Sequence, residues 1–122
     1  MLCSPTTTAV EPMTASLAEM CDRAARAERS WVRAWYRAQW LVTYAHLADL
    51  RPEQKRRVMF VARLADDRAS HAKWLFQVTL RAMSMLGHGD HTIRLNRQAL
   101  GRLEATERLA WHNARLRAER RS

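Results

Sequence analysis

LAEMCDRAARAERSWVRAWYRAQWLVTYAHLA, residues 17–48, decides the fold. Its small and apolar residues return in steps of three and four: Leu17, Met20, Ala24, Ala27, Trp31, Ala34, Ala38, Leu41, Ala45 and Ala48. Steps of that size stay on one face of a helix, so the stretch is a heptad seam on one long helix. Upstream, Ser16 stands three before Glu19, a capping-box spacing that places the helix start near residue 16. Residues 1–13 mix Ser, Pro and Thr without periodicity and read as a flexible N-terminal arm. Downstream, Pro52 is suited to the first position of a new helix.

The same device recurs in Val58, Ala62, Ala65, Ala69, Ala72, Phe76, Thr79, Met83 and Leu86. Gly87 then supplies a left-handed C-terminal cap, and GHGDH (87–91) forms a turn. Asp90 or Thr92 can cap a third helix carrying Ile93, Leu95, Ala99, Leu100, Leu103, Ala110 and Ala114. Its stripe is less regular, and Gly101 interrupts it. The expected architecture is therefore all-α: an antiparallel, up-down-up bundle of three long helices with Ala-rich heptad seams. The helices are expected at about 16–49, 52–86 and 91–119, within one bundle domain spanning 14–122. Trp31, Leu41, Phe76 and Met83 are expected to fill the layers between the alanines.

Composition agrees. Only three Gly and three Pro occur in 122 residues, against twenty Ala. An all-β sandwich needs far more turn residues, and 122 residues suit a single domain. Two cysteines, Cys3 and Cys21, make neither a disulfide framework nor a zinc motif. MLCSPTTTAVEPM has no charged segment followed by an apolar run, so no secretory signal is read there. The longest nearly apolar run, WLVTYAHLADL (40–50), is about half of what a membrane span needs. These features lead to the expectation of a soluble, cytoplasmic chain without a membrane partner.

Charge carries the functional information. The net charge is +9, yet residues 1–22 hold Glu11, Glu19 and Asp22 and no basic residue. Of 21 basic residues, 19 are arginine. Guanidinium groups bind phosphate bidentately and stack on bases, which ammonium groups do not. At 100° per residue Arg26, Arg29, Arg33, Arg37, Trp40 and Tyr44 fall within about 60° of one line, with Tyr36 at its edge. The Ala seam lies about 120° away on the same helix. Arginines for phosphates and rings for bases suit a sequence-tolerant single-strand binder. The competing reading makes the rings a wider apolar face and the arginines a solvated one, their stems lying on the rings.

Lys55, Arg56, Arg57 and Arg63 form a second basic group at the start of the second helix. Cations there oppose the helix macrodipole, so helix stability does not account for them. Arg94, Arg97, Arg102 and Arg108, then Arg115, Arg117, Arg120 and Arg121, extend the positive surface.

Nothing points to catalysis. His88 and His91 share a turn, and His71 follows Asp67 by four, but a metal site needs three or four ligands. No zinc-protease, nucleophile-elbow or phosphate-loop pattern occurs, and the adjacent Asp66 and Asp67 diverge on a helix. Neither a catalytic residue, a metal nor a cofactor is expected.

Over 17–121 the chain resembles the small all-helical subunits of multi-subunit (class 1) CRISPR effector complexes. The shared features are length, a few long helices, strong positive charge and no catalytic motif. The resemblance implies several self-stacked copies inside a ribonucleoprotein, touching RNA or a displaced DNA strand and the backbone subunits. It assigns no role position by position. The expected function is thus a non-catalytic small subunit that binds RNA or single-stranded DNA. The alternatives are a helical protein-interaction or oligomerisation module and a plasmid- or phage-encoded accessory DNA-binding protein.

Overall fold

A computed structural model describes residues 5–121, with side chains placed from Leu17 onward. Three helices make up the fold: α1 (Pro5–Leu47), α2 (Pro52–Met85) and α3 (Gly89–Arg121). The all-α, three-helix expectation holds. Helix α1 starts earlier than expected. Pro5 occupies its first position, where a missing N–H costs nothing, so most of the stretch read as a flexible arm is helical. Ser16 consequently lies inside α1 rather than at its N-cap. Residues 1–4, with Cys3, lie outside the described residues.

Helix α2 begins at Pro52, and the Arg51 N–H donates to the Gln54 side-chain oxygen at 3.0 Å. It ends in a Schellman motif. The His88 N–H reaches the Met83 carbonyl at 3.0 Å and the Gly87 N–H reaches that of Ser84 at 3.0 Å. Gly87 takes φ +95°, which a side chain would strain. Helix α3 starts at Gly89, so Asp90 sits in its first turn, favourably placed for the dipole. The Thr92 hydroxyl donates back to the Gly89 carbonyl at 2.7 Å instead of capping.

Helix α1 is the middle of the assembly. It packs along both neighbours, whereas α2 and α3 touch each other little. The short connection 48–51 folds α2 back antiparallel along α1, and Trp31 meets Phe76, with Lys73 over its ring at 5.9 Å. Four contacts between α1 and α3 join residues 70 to 77 apart, which makes those two helices parallel. Where α2 and α3 diverge, a cleft of about 330 Å³ opens over Trp31 and Trp35, flanked by Lys73, Glu104 and Glu107.

The seams fall where the spacing puts them. Every seam position of α1 is buried or half-buried, and Ala62, Ala65, Ala69, Ala72, Phe76 and Met83 of α2 are buried. Small side chains let the axes come close, toward the short end of the 8–10 Å range. The large core residues gather toward the α2–α3 turn, where Trp31, Phe76, Leu80, Met83 and Leu103 form one cluster. At the opposite end the buried positions are alanines alone: Ala38, Ala45, Ala62, Ala65, Ala110, Ala114 and Ala118. Three expected seam positions are exposed instead: Leu86, Ile93 and Leu100. Leu86 has left the helix at the C-cap, and α3 turns its alanines inward, which points Ile93 and Leu100 away.

Candidate nucleic-acid interface

With the Ala seam of α1 turned to its neighbours, the helix's far side meets solvent, and Arg26, Arg29, Arg33 and Arg37 are all exposed on it. Arg26 pairs with Asp22 at 3.3 Å across one helical turn, an exposed contact that adds little stability. Arg29, Arg33 and Arg37 form no ion pair or hydrogen bond among the described residues. Indeed 18 of the 21 basic residues form no ion pair there. Three neighbouring guanidiniums without a counter-charge repel one another, and a polyanion relieves that repulsion.

Trp40 and Tyr44 continue the row. Both are half-buried, and their rings stack on each other at 5.0 Å with 18° between planes. Each therefore has one ring face covered by the other, and only the outer faces of the stack are left for a base. Tyr36 serves a different purpose. Its hydroxyl accepts from the Asn113 side-chain amide at 3.0 Å and so ties α1 to α3.

Beside this row an open groove of about 1270 Å³ runs between α1 and α2. Arg23, Arg26, Arg33 and Arg37 stand on its α1 wall, with Trp40 at the end of the series. The α2 wall is lined by Arg68, His71, Trp74, Leu75 and Val78. His71 and Trp74 stack at 6.1 Å with 24° between planes, a second aromatic pair, on the α2 wall of the groove. Sequence reasoning missed Arg68, His71 and Trp74 as site residues. Their signal was a second apolar period on α2, out of phase with the Ala seam.

Lys55, Arg56, Arg57 and Arg63 are exposed on the first three turns of α2, none of them lining the groove. By helical phase Arg57 lies on the groove side, while Lys55, Arg56 and Arg63 turn away from it. The parallel course of α1 and α3 brings Arg120 and Arg121, in the last turn of α3, to the same end of the bundle. The predicted site cations thus fall in two groups, a row along α1 and a cluster at one end, while Arg94, Arg97, Arg102 and Arg108 lie along α3 outside both.

Other chemistry is sparse. Among the described residues no three His, Cys, Asp or Glu side chains gather where they could hold a metal ion. The Cys21 thiol lies 3.5 Å from His91 Nε2, a contact between α1 and α3. No helix of the described residues is long and apolar enough to cross a membrane. Comparison of the chain with protein-family models, curated proteins and solved structures finds no match.

Proposed function

We propose that the protein is a non-catalytic nucleic-acid-binding subunit that holds RNA or single-stranded DNA along the outer side of α1. The observation carrying this reading is the run of exposed, uncompensated Arg29, Arg33 and Arg37 leading into the stacked Trp40 and Tyr44. Phosphates release counterions at the guanidiniums, and a base settles on the outward ring face. The resemblance to small CRISPR effector subunits supports a cytoplasmic ribonucleoprotein as the setting, with several stacked copies held against backbone subunits.

The test is fluorescence anisotropy with a labelled single-stranded oligonucleotide at increasing salt. Binding weakens along a log–log line whose slope is about −0.7 per phosphate neutralised. The triple substitution Arg29→Glu, Arg33→Glu, Arg37→Glu lowers affinity about a hundredfold or more at low salt. Unchanged binding by that variant removes the α1 row from the account.

A further inference from the structure

The Ala seam explains one side of α2 and leaves a second apolar line on another. Phe60, Leu64, Leu75, Val78 and Met85 are exposed by 62, 45, 41, 41 and 82%. Asp67, His71 and Ala82 occupy the intervening places in the three-and-four rhythm. By helical phase these residues fall within about 80° of one another and about 140° from the seam. From Phe60 to Met85 the line runs about 37 Å at 1.5 Å per residue. Asp67 and His71 interrupt the line, so the exposed apolar residues form two clusters, Phe60 with Leu64 and Leu75 with Val78 and Met85, and apolar exposure repeated along one helix face marks a docking site. Polynucleotide accounts for rings and guanidiniums but not for Leu64, Leu75, Val78 and Met85, which offer neither stacking nor hydrogen bonds.

The edges of the strip identify the occupant. Arg56, Arg63 and Arg81 border it on one side, and Arg57 and Arg68 on the other, with Arg33 and Arg37 of α1 across the groove. None of these seven forms an ion pair among the described residues. A second copy is a poor fit, because face-to-face pairing of two α2 helices lays arginine edges beside arginine edges on chains of net charge +9. We propose that the outer face of α2 docks an amphipathic helix of a partner protein, apolar along its centre and acidic along both flanks. This is the helix-in-groove mode of recognition, with the apolar strip supplying area and the arginine edges supplying selection. The proposal shares the α1–α2 groove with the nucleic-acid reading through Arg33, Arg37, Arg68, Leu75 and Val78, while Phe60, Leu64 and Met85 lie outside that groove and distinguish the two.

The probe is a labelled synthetic peptide of about 24 residues, the length of the strip, with a leucine stripe and glutamates on both flanks. Its controls are the same stripe flanked by lysines and a scramble of the acidic peptide. The full chain binds the acidic amphipath at least about tenfold more tightly than either control. Phe60→Ser, Leu64→Ser and Met85→Ser, which lie outside the groove, together weaken that binding about tenfold or more, with helical circular dichroism and oligonucleotide affinity unchanged. Arg63→Glu with Arg68→Glu weakens it similarly without touching an apolar residue. Equal binding of the scramble or the lysine-flanked peptide overturns the proposal. So does a concentration-dependent dimer in sedimentation velocity that the serine variant abolishes, which assigns the strip to a second copy. Loss of oligonucleotide binding in the serine variant also overturns it, giving the strip to polynucleotide. Loss of oligonucleotide binding in Arg29→Glu, with peptide binding kept, supports the proposal and separates it from the nucleic-acid reading.

Discussion

Helix α1 holds its two neighbours by different means. Against α2 it presents Ala24, Ala27, Ala38 and Ala45 to an alanine ladder, and one large layer, Trp31 on Phe76 at 5.7 Å, interrupts the small residues. Among the described residues no side-chain hydrogen bond or ion pair crosses that interface. Against α3 the alanines are joined by polar links: Cys21 to His91, Glu28 to Arg102, Tyr36 to Asn113 and Gln39 to Trp111. Alanine ladders bring helices close but distinguish poorly between one heptad register and the next. The α1–α2 register is set by the Trp31–Phe76 layer and the short connection from Ala48 to Arg51. Helix α3 is a sequence neighbour of α2 yet packs on α1, so directional bonds must set its register.

Four substitutions sharpen that contrast. The largest effect is expected from Phe76→Ala, which empties the best-buried layer and costs about 3–5 kcal/mol. Hydrogen exchange should then show all three helices losing protection together, because that layer joins the common core. Ala69→Leu should cost about 1–3 kcal/mol by overfilling the α1–α2 seam, read as a lowered denaturant midpoint. Arg102→Ala strands the buried Glu28 carboxylate. Since Arg102 is itself largely exposed, the cost is about 1–2 kcal/mol. Here α3 amides should exchange faster while those of α2 keep their protection, and a uniform loss would erase the distinction between the two interfaces. Tyr36→Phe removes one acceptor for Asn113 and should cost about 0.5–1 kcal/mol, confined to the same helix pair.

Much of this was legible in the chain. The seams of α1 and α2 show because alanine recurs at helical spacing among arginines and bulky residues, leaving one possible inner face. The seam of α3 misleads, since Ile93 and Leu100 look like core while Thr92 and Ala118 take the buried places. Side-chain size is a poor guide where the packing mode selects alanine. The exposed row from Arg26 to Arg37 follows from 100° arithmetic on a single helix and needs no tertiary information. The groove does not. Arg68, His71 and Trp74 face that row only because α2 folds back at a particular register, which local spacing does not encode. The links between α1 and α3 join residues 70 to 77 apart and have no local signature either.

The five tryptophans occupy five different surroundings. Trp31 is buried against Phe76, Trp35 borders the α2–α3 cleft, Trp40 stacks on Tyr44, Trp74 lies on the outer side of α2, and Trp111 donates to Gln39 at 3.0 Å. The molecule thus carries intrinsic fluorophores at its core, at both helix interfaces and at the surfaces proposed for binding. Quenching of Trp40 or Trp74 reports occupancy of the α1–α2 groove that both line, and a red shift from Trp111 reports α3 coming loose. Single-tryptophan variants, each retaining one indole, make those events optically separable without any added dye.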